Sequence, residues 1–307
     1  MRRSSSSSVT DVLHHARRTV VAPDGTKLSV RVLSHPDAED STPTLVLAHG
    51  WTLSSESWMP VVHALGHDDL RIVVWDQRGH GRSALGLSRR EIPMASISDL
   101  GRDLRAVIDG LVPPASPTVL AGHSMGGMTV MSYAGQFRDE VRSRVSGVLL
   151  VSTASHGLRM GRRPGEMSFM KVLALGLPVP AGPVITERSQ RQFLFGEDAD
   201  PAHVRATRDQ VAATRLTTLG AFYGALSRLD EKASLAALGD LPVRILVGDR
   251  DGLTPPAHSE SLANGIPGSV LTVLPGKGHM LTYEAIDEVV EALRSLLGPT
   301  PGPPAGG

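Results

Sequence analysis

The sequence predicts an α/β protein in which a mostly parallel sheet is covered by helices on both faces. Short apolar runs alternate with longer amphipathic stretches along most of the 307 residues, as in chains that alternate strands and helices. From residue 44 on, the runs do not alternate between apolar and polar residues, and strands that are apolar on both sides suit a parallel sheet between two helix layers. The alternation breaks once, between about residues 156 and 238, where a helical insertion is predicted.

Short β-branched or leucine-rich runs mark the strands. The first two flank Pro23-Asp24-Gly25, a turn signal, and are predicted to pair as a hairpin. The predicted strands cover residues 19–22, 27–33, 44–48, 71–75, 118–121, 147–151, 244–247 and 270–274.

Three stretches between these strands have helical periodicity. Residues 96–111 place six aliphatic side chains on one stripe, with charged residues on the opposite side. Residues 125–137 and 284–297 are predicted as helices on the same grounds. Within the insertion, Asp200 followed by Pro201 is a helix start signal, a capping residue before a first-turn proline.

The chain is predicted to have one core domain with one insertion. The core covers residues 17–155 and 240–297, and the helical cap insertion covers residues 156–239. A serine run and a proline- and glycine-rich end predict flexible tails at residues 1–16 and 298–307. A set of ordinary crossover helices is the alternative for the insertion, but one crossover needs far fewer residues.

Composition excludes several function classes. The chain has 31 basic and 31 acidic residues, so no overall field attracts nucleic acid. It has no cysteine, which excludes disulfides, thiolate catalysis and cysteine-based metal sites. No apolar stretch approaches the ~18 residues of a membrane span. The N-terminal arginines precede serines rather than an apolar segment, so a cytoplasmic protein without a cleaved signal is expected.

The strongest catalytic motif is Gly-His-Ser-Met-Gly at residues 122–126, between a predicted strand and a predicted helix. It matches the G-x-S-x-G elbow, in which an abrupt strand-to-helix turn forces the residues around the nucleophile into close contact. Gly122 and Gly126 are small enough for this contact. Ser124 is therefore the predicted nucleophile. A glycine-rich turn with a capping serine is the alternative, and the flanking strand and helix disfavour it.

With this elbow the chain resembles the α/β-hydrolase fold superfamily. His-Gly-Trp at residues 49–51 follows a strand, although a plain turn is the alternative there. Residues 76–83, Asp-Gln-Arg-Gly-His-Gly-Arg-Ser, look like the family's D-x-R-G-x-G-x-S loop, whose role is structural. The resemblance implies an oxyanion hole made by the backbone N–H groups of Trp51 and Met125, each donor worth ~3–4 kcal/mol.

The acid and the base follow the nucleophile in the order that this fold uses. Asp249 and Asp251 compete for the acid, and the family's D-x-x-x-P spacing favours Asp251. Asp249 is predicted to cap its own backbone. His279, in a glycine-flanked loop after the last strand, is the predicted base. His123 is predicted to point to the opposite side of the elbow, and His80 is predicted to be solvated.

These residues predict a serine hydrolase that forms an acyl-enzyme. His279 takes the proton of Ser124 and Asp251 orients the imidazole. The predicted partner is a small to medium apolar ester, lactone or thioester, with neither cofactor nor metal. Perhydrolase or cofactor-free haloperoxidase chemistry, carbon–carbon hydrolysis and lyase chemistry use the same triad and stay open. A binding module is the third hypothesis, disfavoured because all three triad residues are present.

A largely apolar stretch at residues 167–179 offers a candidate substrate pocket. One interpretation is a core helix, the commoner use of such a stripe. The other is a lid that covers the triad, favoured because the stretch lies where the family inserts its cap and because methionines suit an adaptable pocket. On the second interpretation, Phe169 and Met170 contact the substrate.

Overall fold

The computed structural model describes most of the chain between the predicted tails. The described residues are 14–35, 37–66, 70–158, 160, 164–176, 179–182 and 185–297. Residues 1–13 of the first predicted tail, and the second predicted tail at 298–307, lie outside them.

The described residues form one eight-stranded sheet in the order β1-β2-β4-β3-β5-β6-β7-β8. β2 pairs antiparallel with β1 and with β4, and the remaining pairs are parallel. The predicted mostly parallel sheet and its first hairpin are confirmed. The strands are β1 (His14–Val21), β2 (Lys27–Ser34), β3 (Thr44–Ala48), β4 (Arg71–Trp75), β5 (Thr118–His123), β6 (Val145–Val151), β7 (Val243–Gly248) and β8 (Val270–Leu274).

The first strand begins earlier than the sequence predicts. β1 starts at His14 because its ladder with β2 continues until His14 lies opposite Ser34. The predicted tail at residues 1–16 is therefore too long by three residues. A run that looks polar is ordered there because its backbone bonds a neighbouring strand.

Eleven α-helices and three 3₁₀ helices are described, and none is long and apolar enough to cross a membrane. Short 3₁₀ helices lie at Ser55–Trp58, Ile92–Met94 and Lys232–Leu238. The α-helices are α1 (Met59–Leu65), α2 (Ile97–Leu111), α3 (Met125–Gln136), α4 (Arg138–Arg144), α5 (Glu166–Leu175), α6 (Glu187–Leu194), α7 (Pro201–Ala213), α8 (Leu216–Ser227), α9 (Pro256–Gly265), α10 (Leu281–Glu284) and α11 (Ile286–Leu297).

Helices cover both faces of the sheet, as the sequence predicts. In β3, Val46 and Ala48 are buried in one cluster with side chains of α2 and α3. Leu45 and Leu47 are buried in a second cluster with side chains of α1 and α11. Each fully buried aliphatic side chain contributes roughly 1.5–3 kcal/mol. The central strands are therefore held rigidly between the two helix layers, and the loops begin from fixed strand ends.

Helices α5–α8 occupy most of the predicted insertion. Asp200 caps α7 by accepting a hydrogen bond from the Ala202 N–H at 2.7 Å, with Pro201 in the first turn, as predicted. Phe222 of α8 is fully buried in the same cluster as α2 and α3, so this end of the segment packs on the core. The boundaries at residues 156 and 239 stay a prediction.

Candidate active site

Ser124 lies at a strained turn between β5 and α3. Its φ of 53° and ψ of −119° are rare for a residue with a side chain, at a cost on the order of 1–3 kcal/mol. A Cβ atom on Gly122 would lie 2.3 Å from the Gly126 carbonyl oxygen, and one on Gly126 would lie 2.1 Å from that of Ala48. The close contacts that the elbow requires are therefore present, and a side chain at either position would force the neighbouring backbone to shift.

The backbone of Ser124 is fixed by neighbours in β6 and α3. Its N–H donates to the Val151 carbonyl at 2.9 Å, and its own carbonyl accepts from the Thr153 hydroxyl at 2.7 Å and from the Gly127 N–H at 2.9 Å. Within the described part of the chain, the Ser124 side chain has no hydrogen-bond partner. Active-site hydrogen bonds are often long before substrate binds.

His279 and Asp251 form a buried pair. His279 Nδ1 lies 2.8 Å from Asp251 Oδ2, which also accepts from the Thr254 hydroxyl at 2.9 Å. Asp251 Oδ1 accepts from the N–H groups of Leu253 and Thr254, both at 2.9 Å. Burial raises the pKa of Asp251, but His279 and these hydrogen bonds outweigh burial and hold the pKa below its ordinary value. The carboxylate is therefore ionised and oriented toward the imidazole.

Asp249 has a different partner from the predicted one. Its Oδ1 accepts from the Gly276 N–H at 2.8 Å, so the prediction that it caps its own backbone is wrong. The loop after β8 lies against the end of β7 and supplies a donor that is distant in sequence. Asp251, by contrast, does cap its own loop, through Leu253 and Thr254.

His123 contacts the loop of His279, a relationship that the sequence did not reveal. The two ring centroids are 5.0 Å apart, and His123 Nε2 lies 2.9 Å from the His279 carbonyl oxygen. A carbonyl only accepts, so Nε2 carries a proton. Burial, with the neighbouring His279 ring, lowers the pKa of His123 to about 3. His123 is therefore neutral and fixes the backbone of His279, the predicted base.

His49 organises the turn after β3. Its Nε2 accepts from the Gln77 N–H at 2.9 Å, and its Nδ1 donates to the Gly50 carbonyl at 2.7 Å. An amide N–H only donates, so His49 is the neutral tautomer with a proton on Nδ1. Burial lowers its pKa and so maintains this state. The Gln77 side chain is held in turn by the Thr129 hydroxyl, 2.6 Å from its Oε1.

The turn after β3 lies beside Ser124, the predicted nucleophile. A Cβ atom on Gly50 would lie 3.2 Å from the Ser124 Cβ. Among the described residues, the N–H groups of Trp51 and Met125 donate to no backbone acceptor. Both groups are adjacent in sequence to residues in this contact, and they stay the predicted oxyanion donors.

The loop after β4 is structural, and one of its residues is predicted incorrectly. Arg78 makes two 2.6 Å hydrogen bonds to the buried Asp103 of α2. His80 is fully buried rather than solvated, because the loop folds inward and packs its ring at an angle against the rings of His49 and Phe222, each at 5.3 Å between centroids. The loop thus supports the turn at His49 from below the site.

The two predicted pocket residues have different surroundings. Met170 is buried and lines a cavity of about 300 Å³ between α5 and α8, whereas Phe169 is 62% exposed and does not line it. α5 is apolar on several sides, and it packs on α8 through the side that carries Met170. Tyr223, also in the cavity wall, has its ring centroid 6.0 Å from that of Trp51. The cavity therefore lies next to the turn after β3.

Comparison with protein families gives one match over most of the chain. A hydrolase family model described as serine aminopeptidase, S33, matches residues 39–286.

In the part of the chain that the structure describes, no three histidine, aspartate or glutamate side chains converge as a metal site.

Two curated relatives are each 27% identical to this chain. A monoacylglycerol lipase of Mycolicibacterium smegmatis is 27% identical over 271 residues, covering 85% of this chain and 90% of that protein. A Mycobacterium tuberculosis protein named "Probable oxidoreductase EphD" is 27% identical over 272 residues. That match covers 81% of this chain but 44% of the relative, so the chain spans less than half of the relative's length.

Solved structures share the fold. The enol-lactonase of Burkholderia xenovorans has a TM-score of 0.75 at 21% identity, covering 92% of this chain and all of that one. A thermophilic esterase of Thermogutta terrifontis has a TM-score of 0.73 at 22% identity, covering 92% of this chain and 98% of that one. At these identities the similarity establishes the fold alone.

Proposed function

The chain belongs to the α/β-hydrolase superfamily, in the family described as serine aminopeptidase, S33. From this membership we propose that it is a serine hydrolase of carboxylic esters, lactones or thioesters. Ser124 is the proposed nucleophile, His279 the base and Asp251 the acid. The buried 2.8 Å contact between His279 Nδ1 and Asp251 Oδ2 is the observation that carries the proposal. A neutral imidazole with its Nδ1 proton engaged leaves Nε2 free to accept a proton.

The proposed reaction has two halves. His279 Nε2 takes the proton of Ser124 as the hydroxyl oxygen attacks the carbonyl carbon, and the imidazolium then protonates the leaving alcohol or thiol. In the second half, His279 removes a proton from water, whose oxygen attacks the acyl carbon. The imidazolium then returns this proton to Ser124 Oγ as the acyl–oxygen bond breaks. Asp251, kept ionised by Thr254 and His279, stabilises the imidazolium in both halves.

Stabilisation of the oxyanion is assigned to two backbone N–H groups. We propose those of Trp51 and Met125, whose residues adjoin the contact between Gly50 and Ser124. The neutral His49 holds the Gly50 carbonyl and so limits rotation of the peptide that carries the Trp51 N–H. A donor fixed in advance costs no reorganisation when charge develops on the substrate.

The mostly apolar lining of the cavity between α5 and α8, which also includes Lys171 and Arg228, supports an apolar substrate. Met167, Met170, Ala174 and Leu175 line it, next to the ring of Tyr223. We therefore propose that α5–α8 act as a cap and that the cavity receives an acyl or alcohol group of small to medium size. Each methylene buried there adds ~0.8 kcal/mol.

The decisive experiment compares the wild type with Ser124→Ala on p-nitrophenyl butyrate. The variant should fold normally, and its kcat should fall by on the order of 10⁴–10⁶. A serine-directed phosphonate should add one mass equivalent to the wild type and none to the variant. Retention of a tenth of the wild-type kcat by Ser124→Ala would contradict the proposal.

Two further substrates separate ester hydrolysis from other uses of the triad. An aminoacyl p-nitroanilide reports aminopeptidase activity, and hydrogen peroxide with acetate reports perhydrolysis. We expect kcat/KM on the butyrate ester to exceed that on the anilide by at least about tenfold, since p-nitrophenol leaves more easily than p-nitroaniline. The reverse order would assign the site to peptides.

A further inference from the structure

Glu284 connects the loop of the proposed base to the helical segment that carries α6. Its Oε2 accepts from the Gly196 N–H at 2.6 Å and from the Gly278 N–H at 3.1 Å. Its Oε1 accepts from the Met280 N–H at 3.1 Å. Gly278 and Met280 are the two neighbours of His279 in sequence. One carboxylate therefore holds both sides of the proposed base and also a residue from another element.

The chain leaving α6, residues 194–197, docks on the same loop at further points. The Leu194 carbonyl, at the C-terminus of α6, accepts from the His279 N–H at 2.7 Å, and the Glu197 N–H donates to the Gly276 carbonyl at 3.0 Å. Carbonyls at a helix end lack partners within the helix. The 194–197 turn and the His279 loop thus provide hydrogen-bond partners for each other's backbone N–H and carbonyl groups.

Packing between the two segments is tight. A Cβ atom on Gly278 would lie 2.5 Å from the Phe195 carbonyl carbon, so the two backbones are in direct contact. Phe195, Met280 and Tyr283 are buried together in a separate apolar cluster. Movement of the 194–197 turn away from the loop would expose this cluster and break the hydrogen bonds to Glu284.

A simpler role for Glu284 is to cap α10, whose N-cap residue is Met280. That role accounts for the Met280 bond alone. The shortest of the three bonds goes to Gly196, which belongs to neither α10 nor its loop. Hydrogen bonds to an ionised carboxylate are the stronger kind. The arrangement is therefore more than a local cap.

We propose that Glu284 is a positioning residue that makes the orientation of His279 depend on docking of the 194–197 turn. The inference rests on the proposed function, in which His279 is the general base. When the turn is docked, both peptide groups beside His279 are fixed, and Nδ1 meets Asp251. When the turn moves, the loop loses these constraints, and the base loses its alignment.

The test is Glu284→Gln in the full chain. Glutamine has one acceptor oxygen, and its NH₂ group would face a backbone N–H, so part of the bridge is lost. A displacement of about 1 Å can cost 10²-fold in rate. We therefore expect kcat on p-nitrophenyl butyrate, per site titrated with phosphonate, to fall about 10- to 100-fold, while KM changes less than about threefold.

Glu197→Gln is the matched control. Its carboxylate lies on the same turn but is exposed, in an ion pair with Arg250 at 2.7 Å. Exposed pairs contribute little, so kcat should stay within about twofold of the wild type. If Glu284→Gln has a wild-type kcat per titrated site and only a lower Tm, Glu284 is merely structural and the inference is wrong.

Hydrogen exchange of the wild type provides a second test that needs no variant. The amides of Gly196, Gly278 and Met280 should share one opening equilibrium, with protection factors within about threefold of one another. Protection factors that differ more than tenfold would overturn the coupling. Failure of the proposed function is distinguishable, because it would appear as activity in Ser124→Ala, whatever the behaviour of Glu284→Gln.

Discussion

His279 Nδ1 lies 2.8 Å from Asp251 Oδ2, and both side chains are buried. This contact makes Asp251→Asn the most informative substitution in the pair. The asparagine amide would donate to Nδ1, so the imidazole proton would move to Nε2, which could no longer accept the proton of Ser124. We expect a loss in kcat on the order of 10⁴, measured on p-nitrophenyl butyrate, with an unchanged circular dichroism spectrum.

Asp249→Asn is the control for this substitution. An asparagine Oδ1 can still accept from the Gly276 N–H, the bond that Asp249 makes. Activity should therefore stay within about threefold of the wild type. If Asp249→Asn were inactive and Asp251→Asn active, the acid would be assigned two residues too late.

The elbow gives a steric prediction. A Cβ atom on Gly126 would lie 2.1 Å from the Ala48 carbonyl oxygen, so Gly126→Ala must separate α3 from β3. Overpacking of this kind costs roughly 1–3 kcal/mol or more. It would also displace Ser124 from the turn after β3. We expect a lower unfolding midpoint in urea and a loss of at least about 10²-fold in kcat.

Gly110→Ala is the matched substitution away from the site. A Cβ atom there would approach Val20 no closer than 3.6 Å, an ordinary contact. Because alanine favours a helix over glycine by up to about 1 kcal/mol, this variant should be slightly more stable and fully active. Equal effects of the two substitutions would mean that the elbow is not sterically constrained.

The elbow could be predicted because its requirements are local. The positions of Gly122 and Gly126 follow from a strand that turns directly into a helix, and five residues contain the whole constraint. The proposed acid is harder to predict, since two aspartates lie within three residues of each other. Only the tertiary structure shows that Asp249 accepts a hydrogen bond from the Gly276 N–H, whereas the Asp251 carboxylate contacts His279 Nδ1.

Other features depend on contacts between distant segments. Glu284 bonds Gly196, 88 residues away, and no spacing in the sequence marks such a pair. His80 lies in a glycine-rich loop that is typical of a solvated turn, yet the ion pair of Arg78 with Asp103 draws the loop inward. The sequence does not show which of Phe169 and Met170 is buried, because α5 is apolar on several sides.

Buried histidines predict a pH dependence of stability. Burial, together with the nearby His49 ring, lowers the pKa of His80 from 6.5 to about 3. Between these values the unfolded chain binds a proton that the folded chain does not, so stability falls as pH falls. From pH 7 to pH 5 the free energy of unfolding should drop by about 2 kcal/mol through His80, at about 1.4 kcal/mol per pH unit.

His80→Asn isolates this contribution. The asparagine amide can keep the hydrogen bond to the Arg78 carbonyl, which His80 makes at 3.0 Å, without a titrating group. Urea unfolding at pH 7 and pH 5 should therefore show a smaller drop in the variant than in the wild type. His63→Asn, at an exposed position of α1, should behave as the wild type does. Equal drops for wild type and His80→Asn would mean that His80 is protonated in the folded chain.

The final prediction concerns the size of the substrate. The cavity between α5 and α8 has a volume of about 300 Å³, and Met170 is part of its wall. If an acyl chain enters it, kcat/KM for p-nitrophenyl esters should rise from acetate by up to about fourfold per methylene, the equivalent of ~0.8 kcal/mol. The rise should stop once the cavity is full.

Met170→Ala tests whether this cavity sets the limit. Truncation enlarges it, so the longest ester that still gains in kcat/KM should become longer by a few methylenes. Phe169→Ala is the natural control, because the Phe169 ring is 62% exposed and lies outside the lining. We expect that variant to reproduce the wild-type series from acetate to decanoate. A shift with Phe169→Ala and none with Met170→Ala would mean that the acyl chain binds along the outer side of α5, and the cavity would then have no part in substrate selection.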